Sequence, residues 1–347
     1  MALIGIDCRF ASKDVGLGTY TRELVLQLVH SSTDDFVLFV RSTSESWLDD
    51  IPSHVAILTA DFDHYSLKEQ IAFPRLIRHL HLDLLFSPHF NVPLLCPVPF
   101  VVTIHDLILH RYPNKTSRLK QIAYRILMRR AVAKAQKIIA VSAYTQSELL
   151  SVYGNSIASK ISTVTEGVSP LFSLSDVVNV QKKYTIPSDY ILYVGNAKEH
   201  KNVQMLIDAH SNESNAPDLV LISGGSEARK LKMNTRVHLL QDIPYADLPS
   251  FYKHAACFVT PSLYEGFCLP ILEARASGCP VIAMNVTAIP EVAGPHTVLV
   301  EPTFEALTRA LHSLPIKTSG PEEEYSWEYA ATTTSAILTS ALNNGQN

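Results

Sequence analysis

The segment TPSLYEGFCLPILEARASGCPVIA, residues 260–283, joins two apolar runs through a turn that contains glycine and proline. The runs are CFVTPS before the turn and PVIAMN after it, and the carboxylates of Glu265 and Glu273 lie between them. Pro270 suits the first turn of a helix, where its missing N–H has no intrahelical partner. Gly278 is typical of a helix end. The segment therefore predicts a strand, a helix and a second strand of a parallel sheet.

The same alternation of apolar runs and helical patterns continues along the chain. In the first half the predicted strands are ALIGID, FVLFV, VAILT, DLLFS, FVVTI and KIIAVS. In the second half they are YILYVGN, LVLISGG, VHLLQD, CFVTPS, PVIAMN and TVLVE. Each half begins with a strand, a glycine-bearing loop and a helix. The pattern predicts an α/β protein with two Rossmann-like, doubly wound parallel-sheet domains that face each other across a cleft.

The predicted domain boundary lies in a segment of weak periodicity. Residues 167–189 contain scattered proline and serine, which is typical of a linker. We therefore assign residues 1–170 to the first domain and residues 171–330 to the second. Residues 331–347 are predicted to form a last helix that packs back toward the first domain.

The composition is that of a soluble globular protein, with 47% hydrophobic and 18% charged residues in 347. The longest uncharged apolar stretch, residues 84–104, contains four prolines, which argues against a membrane-spanning helix. The N-terminal MALIGIDCRF has no basic region followed by a long apolar one, so no secretory signal is expected. Five cysteines without a C-x-x-C pair indicate neither a disulfide framework nor a zinc site. We expect a cytoplasmic location.

One stretch of the first half is strongly basic. Residues 107–147 hold nine basic side chains and no acidic one. A helix here is predicted to carry its basic residues on one face and its apolar residues on the other face, the latter being Leu119, Ile122, Ala123, Ile126 and Leu127. The basic face is either simply solvated or binds anionic headgroups or a phosphorylated, lipid-linked molecule. The candidate residues for such a surface are Arg118, Arg125, Arg129 and Arg130. A net charge of −4 and the lack of a binding motif argue against nucleic acid.

The early glycines do not form a complete dinucleotide fingerprint. Gly16 and Gly18 give G-x-G, but Thr21 follows where glycine or alanine is expected, and the second strand ends in Arg41 rather than in an acid. An NADP enzyme remains an alternative, whereas no P-loop motif occurs. At a helix start, the backbone of Gly16 and Gly18 offers N–H groups that suit a phosphate. The other interpretation is an ordinary glycine-rich turn.

A second loop, GNAKEHKN, places Lys198 and Lys201 just before a helix. A cation at a helix N-terminus is repelled by the positive end of the helix dipole. Lysines at this position are therefore best explained by an anion that binds between the lysine and the helix end. Ordinary surface lysines are the alternative. Glu265 and Glu273 lie beside the backbone amides of residues 266–268, and acceptors next to donors suit a polyhydroxylated ligand. A nucleotide-sugar would use both the lysines and the acids.

These motifs, in this order, resemble the family 4 (group 1) retaining glycosyltransferases, which have the two-domain fold called GT-B. Their signature has the form E-G-F-G-x-P-x-x-E-A, and residues 265–274 read EGFCLPILEA. The similarity covers nearly the whole chain and includes GLGTYTREL, TIHDL, VSAYTQSEL, YVGNAKEHKN, IPYADLPSFYKHA, ASGCPVIA, IPEVAG and SWEYAA.

The resemblance implies roles for the two acids of the signature. Glu273 would accept a hydrogen bond from the nucleotide ribose. Glu265 would face the transferred sugar, with the help of four backbone N–H groups, those of Gly266, Phe267, Cys268 and Leu269.

The resemblance also implies roles outside the signature. Lys201 would neutralise the diphosphate, with the loop of Gly16 and Gly18 opposite. His105 would reach the donor sugar or its phosphate from the first domain. The backbone near Ile243 would contact the base.

The chain departs from the family at three positions. Cys268 replaces the second glycine of the signature. Asn196 stands where many relatives have arginine, which leaves more of the phosphate charge to Lys201, with Lys198 as a substitute. Glu166 stands where asparagine and glycine are common. A D-x-D triplet at Asp61–Asp63 also occurs, but such triplets are frequent by chance.

The sequence therefore predicts an enzyme that transfers a hexose, with mannose from GDP-mannose as the first choice, to a glycan or lipid-linked acceptor. Retention of anomeric configuration, catalysis without a metal or other cofactor, and peripheral contact with the inner face of an anionic membrane are part of this expectation. Two alternatives remain. One is a catalytically silent subunit that binds a glycan or a protein partner, and the other is a nucleotide-sugar epimerase or phosphorylase on the same fold.

Overall fold

The computed structural model describes residues 2–12, 16–112, 117–173, 178–316 and 325–344. The chain divides into two compact units. The first comprises residues 1–166 and 327–347, and the second comprises residues 167–326. The sequence placed the division after residue 170, whereas the structure places it after Glu166. It placed the start of the last helix at residue 331, whereas that helix begins at Trp327.

The first unit is built on a parallel sheet, for which the described residues provide seven strands. These are β1 (Leu3–Asp7), β2 (Asp35–Val40), β3 (Ala56–Thr59), β4 (Leu84–Ser87), β5 (Phe100–Ile104), β6 (Lys137–Ala140) and β7 (Ile161–Thr163). Their order across the sheet is β3-β2-β1-β4-β5-β6-β7. Every residue of β4 and β5 is buried, as is typical of strands covered by helices on both faces. The short strand β7 was missed because three residues show no periodicity.

Three of the helices described in this unit begin after a serine that satisfies one of their first free N–H groups. The helices described ahead of residue 167 are α1 (Gly16–Ser31), α2 (Leu67–His79), α3 (Ile108–Arg111), α4 (Arg118–Lys134) and α5 (Ala143–Tyr153). The side chains of Ser66, Ser117 and Ser142 accept hydrogen bonds from the third residue after them, which caps α2, α4 and α5.

Helix α4 corrects one prediction from the sequence. Its buried residues are Tyr124, Leu127, Met128, Ala131 and Val132. Leu119, Ile122, Ala123 and Ile126 are exposed together with the arginines, so they do not form a separate, buried face. The helix carries two apolar stripes, and the stripe with the larger side chains packs on the sheet. Of the candidate arginines, Arg118, Arg125 and Arg129 are exposed, whereas Arg130 is half-buried.

The second unit repeats the architecture of the first. The strands found in its described part are β8 (Tyr190–Val194), β9 (Asp218–Ile222), β10 (Val237–Leu240), β11 (Cys257–Thr260), β12 (Val281–Met284) and β13 (Val298–Val300). Their order is β10-β9-β8-β11-β12-β13, again all parallel. Its helices are α6 (Val180–Tyr184), α7 (Val203–Asn212), α8 (Leu248–His254), α9 (Leu269–Ala276), α10 (Ile289–Val292) and α11 (Phe304–His312). The predicted α/β class with two doubly wound parallel sheets is confirmed.

The last helix, α12 (Trp327–Asn344), returns to the first unit and packs against α1. Trp327 is buried and its ring centroid lies 5.7 Å from that of Tyr20. Small side chains at Ala330, Ala331 and Ala341 are also buried. Because alanines allow the two helices to approach closely, α12 completes the layer that covers this side of the sheet. Among the described helices, none is both long and apolar enough to cross a membrane.

The strand order locates the place where each sheet binds ligands. In both sheets the first strand lies beside the fourth, at β1 and β4 in the first unit and at β8 and β11 in the second. In such sheets, ligands bind beyond the carboxyl ends of the strands at this point, where the direction of strand order reverses. The loops after β8 and β11 contain the signature residues singled out in the sequence.

Candidate functional site

Two loops of the second unit meet at the carboxyl edge of its sheet. The loop after β8 leads through residues 195–202 to α7, and the loop after β11 leads through residues 261–268 to α9. They are joined where the Leu263 N–H donates to the carbonyl of His200 over 2.8 Å. The same approach brings Lys201 Nζ to 2.6 Å from Glu265 Oε1. The structure thus places two of the predicted catalytic residues in one charge-assisted contact.

This ion pair is only partly shielded from solvent. The side chain of Lys201 is 20% exposed and that of Glu265 is 11% exposed. The backbone N–H of Glu265 donates to Thr287 Oγ1 over 3.0 Å, which anchors the loop at this residue. A pair in this setting is stronger than one on the surface, yet its charges remain within reach of a ligand.

Cys268 occupies a backbone conformation that favours glycine. It lies just before α9 with φ of 84° and ψ of 59°, in the left-handed region. This explains why the family signature has glycine here. The side chain is buried, and burial raises the pKa of the Cys268 thiol well above its usual value, with the charge of Glu265 adding to the effect and that of Lys201 opposing it. Cys268 therefore lies close to the ion pair as a neutral group.

The turn after β8 is shaped by a tyrosine and a glycine. The Tyr193 hydroxyl donates to the carbonyl of Asn196 over 2.7 Å. Gly195 has φ of 149°, and a Cβ there would lie 3.0 Å from the Tyr193 hydroxyl oxygen. The Asn196 side chain accepts a hydrogen bond from the Lys198 N–H over 3.2 Å, so it holds the turn. Lys198 itself is exposed.

Glu273 lies in the second turn of α9 and has a partner of its own. Its Oε2 accepts a hydrogen bond from the Tyr252 hydroxyl over 2.8 Å, and both residues are buried. Burial, together with the charge of Glu273, raises the pKa of Tyr252 well above its usual value. The hydroxyl therefore keeps its proton and donates it in the hydrogen bond to Glu273. Ile243 is half-buried against the core of the same unit. Gly266, Phe267 and Leu269 flank Cys268 at the start of α9, where the first N–H groups of a helix have no intrahelical acceptor.

In the first unit, His105 follows β5 and is held by several neighbours. Its Nε2 donates to the carbonyl of Pro88 over 2.9 Å, and its Nδ1 lies 3.4 Å from Glu166 Oε1. The ring of Tyr20 meets the imidazole edge-on at 4.5 Å between centroids. Glu166, which the sequence marked only as a departure from the family, is buried and is a partner of His105.

Gly16 and Gly18 lie in the first turn of α1. Gly16 is exposed, and a Cβ at Gly16 would meet no atom within 4 Å, whereas Gly18 is buried. The structure therefore puts these glycines at a helix start in the first unit. Residues 13–15, which precede them, lie outside the described residues.

Arg41, which the NADP alternative depends on, pairs with Asp61 and Asp63, the two acids of the D-x-D triplet. Arg41 Nη2 lies 3.0 Å from Asp61 Oδ1 and 3.2 Å from Asp63 Oδ1. Arg41 was the residue that kept an NADP enzyme open, and the two aspartates form the D-x-D triplet. Within the described ranges, no cluster of three or more histidine, cysteine or acidic side chains is arranged to hold a metal ion.

A charged cluster that the sequence did not reveal lies after β1. Arg9 Nη2 is 2.7 Å from both Asp7 Oδ2 and Glu69 Oε1, and all three side chains are buried. Glu69 also accepts from Asn91 Nδ2 over 2.8 Å and from the Tyr65 N–H over 2.7 Å. Burial raises the pKa of Glu69 although Arg9 opposes the effect. Burial lowers the pKa of Arg9, but Asp7 and Glu69 outweigh it and raise that pKa.

Comparison with known families finds two matches that together cover most of the chain. Residues 15–170 match the family described as Glycosyltransferase Family 4. Residues 179–331 match the family described as Glycosyl transferases group 1.

The chain is also similar to curated mannosyltransferases. It is 31% identical over 218 residues to O-antigen chain mannosyltransferase B of Escherichia coli, which covers 58% of this chain and 57% of the relative. It is 27% identical over 243 residues to O-antigen chain mannosyltransferase RfbU of Salmonella typhimurium, which covers 68% and 65%. The chain thus matches less than two thirds of the length of each relative.

Among solved structures, the fold is similar over the full length. Sucrose-phosphate synthase from Thermosynechococcus elongatus superposes with a TM-score of 0.72 at 19% identity, covering 100% of this chain and 98% of that one. Anabaena HepE in complex with UDP-glucose superposes with a TM-score of 0.71 at 15% identity, covering 98% and 100%. At such identities the likeness establishes the fold.

Proposed function

Because the chain belongs to the family 4 (group 1) glycosyltransferases with the GT-B fold, we propose that it transfers a hexose from a nucleotide-sugar to a glycan or a lipid-linked acceptor. The observation that carries this proposal is the contact between Lys201 and Glu265 at the strand-order reversal of the second sheet. The ammonium of Lys201 suits the negative charge of a diphosphate, and the carboxylate of Glu265 suits the hydroxyl groups of a sugar. A nucleotide-sugar contains both groups.

Each member of the pair has a separate task in this proposal. Lys201 and the N-terminus of α9 neutralise the diphosphate, and Glu265 accepts hydrogen bonds from the sugar hydroxyls. Donor binding therefore exchanges one salt bridge for two charge-assisted contacts. Glu273, positioned by Tyr252, accepts from the ribose, and the backbone near Ile243 contacts the base.

Charge stabilisation is the main chemical task of such a site. When the bond between the anomeric carbon and the diphosphate oxygen breaks, negative charge grows on the leaving group and the sugar becomes oxocarbenium-like. Lys201 and the helix dipole stabilise that charge without a metal ion. We further propose that the new bond retains the anomeric configuration and that His105, held by Pro88 and Glu166, binds the donor sugar or its phosphate, both as the family resemblance implies.

Mannose is the proposed sugar, and GDP-mannose the proposed donor. Two relatives are named as mannosyltransferases of O-antigen chains, which supports mannose and an acceptor in polysaccharide synthesis. UDP-glucose is the competing donor, because HepE was solved in complex with it. A cytoplasmic site of action is consistent with either donor.

Release of nucleoside diphosphate tests the proposal. Purified protein is incubated with GDP-mannose or UDP-glucose and lipid-linked or free glycan acceptors, and both the diphosphate and the glycosylated product are measured. Lys201→Ala should lower the rate by about a hundredfold to a thousandfold, because it removes one preorganised charge from the leaving group. Lys182→Ala is the matched control, since Lys182 is an exposed lysine of α6, outside the two loops of the site, and should change the rate by less than about threefold.

Three outcomes would contradict parts of the proposal. Absence of turnover with every donor and acceptor, while a donor still binds by calorimetry, would favour a silent binding subunit. A product with inverted configuration by nuclear magnetic resonance would refute retention. Loss of turnover after chelation, with recovery on adding a divalent metal, would refute the metal-independent mechanism.

A further inference from the structure

A buried tyrosine of α1 supports the ring of His105. Tyr20 is 1% exposed, and its ring meets the imidazole at an angle of 89° between the ring planes. The Tyr20 hydroxyl also shares a hydrogen bond of 3.1 Å with Thr103 Oγ1 of β5, two residues before His105. Burial raises the pKa of Tyr20 well above its usual value, although the hydrogen bond with Thr103 opposes the effect, so the hydroxyl stays protonated. Tyr20 therefore contacts both the imidazole and the strand that leads to it.

Trp327, the first residue of α12, supports Tyr20 in turn. It is 3% exposed, and the planes of the two rings meet at an angle of 71°. Within the described residues the indole N–H has no hydrogen-bond acceptor, so packing contacts hold the ring. Edge-to-face contacts of this kind favour particular ring orientations in addition to burying apolar surface. A change in the position of Trp327 would therefore be passed through Tyr20 to His105.

In the second unit, Tyr325 contacts the loop of residues 261–268, which we call the donor loop. The ring of Tyr325 lies 6.0 Å from that of Phe267 between centroids, at an angle of 69°. The Tyr325 hydroxyl donates to the carbonyl of Glu291 over 2.8 Å. The guanidinium carbon of Arg275, in the last turn of α9, lies 5.9 Å from the centre of the same ring. Tyr325 thus adjoins both the donor loop and the end of the helix that follows it.

Three consecutive residues connect these two sets of contacts. Ser326 is the last residue of the second unit, and the first unit resumes at the next residue. The backbone here is held by the other segment that crosses between the units, because Val168 pairs with Ser326 and its N–H donates to the carbonyl of Tyr325 over 3.2 Å. That other crossing begins just after Glu166, the partner of His105. Residues next to both crossings therefore belong to the surroundings of His105.

We propose that Tyr325 and Trp327 are positioning residues that adjust His105 to the occupancy of the donor loop. A nucleotide-sugar bound at this loop changes the contact between Phe267 and Tyr325, and the backbone held at the crossing passes the change to Trp327. Coupling of this kind needs a contiguous set of contacts, which the aromatic side chains from Phe267 to His105 supply. The proposal rests on the proposed function, which assigns the donor to this loop and a role to His105.

The fluorescence of Trp327 tests the coupling without any need for turnover. The chain contains two tryptophans, and Trp47→Phe removes the other one, which is half-buried between β2 and β3. In this single-tryptophan protein, saturating GDP or UDP should change the emission, because the surroundings of Trp327 depend on the occupancy of the donor loop. Tyr325→Leu should reduce that response by at least about fivefold, while the nucleotide Kd measured by calorimetry changes by less than about threefold. An unchanged emission with bound nucleotide, or an equal response in Tyr325→Leu, would overturn the coupling.

Nuclear magnetic resonance of isotope-labelled histidine tests the positioning of His105 in the free protein. The signal is assigned by its loss in His105→Gln. Trp327→Leu should shift this signal, because Tyr20 loses its support and its ring moves relative to the imidazole. Trp47→Leu is the matched control, since Trp47 bonds Glu45 in another loop of the same unit, and it should leave the signal in place. An unmoved signal in Trp327→Leu would show that Trp327 only anchors α12, and the positioning role would be wrong.

Turnover separates positioning from loss of folded protein. Circular dichroism and thermal unfolding establish that each variant is folded, and rates are divided by the concentration of nucleotide-binding sites. Trp327→Leu should lower kcat by about tenfold and change the donor KM by less than about threefold, because a displaced imidazole affects the reaction more than binding. Trp327→Phe restores a ring and should stay within about threefold of the wild-type kcat. A rate per site equal to that of the wild type in Trp327→Leu would refute the positioning role.

Failure of the proposed function has a different signature. If neither GDP nor UDP binds by calorimetry, the proposed function and the coupling fail together, and the His105 signal alone decides the positioning role. If a nucleotide binds and the Trp327 emission does not respond, the coupling is wrong while the proposed function stands.

Discussion

The two sheets carry a cation–carboxylate contact at the same topological place, but they differ in its exposure. After the first strand of the first unit, Arg9 contacts Asp7 and Glu69, and the three side chains are between 0% and 1% exposed. After the first strand of the second unit, Lys201 contacts Glu265, and their side chains are 20% and 11% exposed. The cluster in the first unit satisfies itself, whereas the pair in the second unit is within reach of a ligand.

The difference teaches how one architecture is used for two purposes. The planar guanidinium of Arg9 binds two carboxylates at once and holds the loop before α2, where Glu69 accepts from the Tyr65 N–H. The ammonium of Lys201 is a single point charge on a flexible stem and can turn to a phosphate. We therefore expect substitutions at Arg9 to affect stability first and substitutions at Lys201 to affect activity first.

The largest expected effect is that of Arg9→Met. It leaves two buried carboxylates without their cation, which should lower the free energy of unfolding by about 3–5 kcal/mol. Chemical denaturation followed by circular dichroism measures the change. Arg41→Met is the control, because the exposed pairs of Arg41 with Asp61 and Asp63 should contribute less than about 1 kcal/mol. Equal losses in both variants would show that burial does not separate the two clusters.

Lys201→Met should affect activity more than stability, the opposite of what is expected for Arg9→Met. The loss of unfolding free energy should be about 1–2 kcal/mol, between the values for exposed and fully buried pairs, while turnover falls about a hundredfold or more. Thermal unfolding with and without GDP sharpens the test, because a ligand that binds the native state raises its apparent stability. Stabilisation by GDP in the wild type but not in Lys201→Met is expected. Stabilisation of both to the same extent would separate Lys201 from the diphosphate.

His105 and Glu166 extend the comparison to a second contact of the first unit. Their side chains are 18% and 8% exposed, so this pair resembles Lys201 and Glu265 more than the Arg9 cluster. Glu166→Gln should therefore lower kcat by about tenfold through loss of imidazole positioning, with little change in unfolding. Thr163→Ala is the control. It removes an exposed hydrogen bond from the Thr163 hydroxyl to Gln146 Oε1, so kcat should not change. A large fall in stability without any change in kcat would place Glu166 with the structural cluster.

The smallest expected effect is that of Cys268→Gly. Glycine relieves the left-handed backbone by about 1 kcal/mol but loses a buried side chain of similar value, so stability should change by less than about 1 kcal/mol. Cys268→Val, which places a β-branched residue at φ of 84°, should cost clearly more. Measuring unfolding of both variants checks the order. If valine were tolerated as well as glycine, the backbone at this position would not be what selects the residue.

Much of the fold could be predicted because apolar runs in a parallel sheet are nearly continuous. FVVTI matches β5 residue for residue, and the other predicted strands differ from the observed ones at their ends. The faces of α4 were predicted wrongly because Leu119, Ile122 and Ile126 repeat with the same spacing as Tyr124, Leu127 and Ala131. Local periodicity does not tell which stripe meets the sheet when both are apolar.

The site was predictable only where its chemistry is local in sequence. Lys201 and Glu265 were singled out from their own loops, and the strand order that brings them together follows from the doubly wound pattern. The partnership of His105 with Glu166 was missed, because no spacing in the sequence connects residues that follow different strands, here β5 and β7. Arg9 and Glu69 were missed for another reason: charged residues are seldom fully buried, so sequence patterns assign them to the surface.

The return of α12 to the first unit has a consequence for biosynthesis. The first unit is interrupted in sequence by the whole second unit, since α12 begins only at Trp327. A nascent chain that has emerged as far as Glu166 must hold α1 without the helix that covers it, until translation is nearly finished. A fragment ending at Glu166 should therefore be prone to aggregation. A permuted chain in which Trp327–Asn344 precedes residue 1 should fold its first unit before the second unit is made.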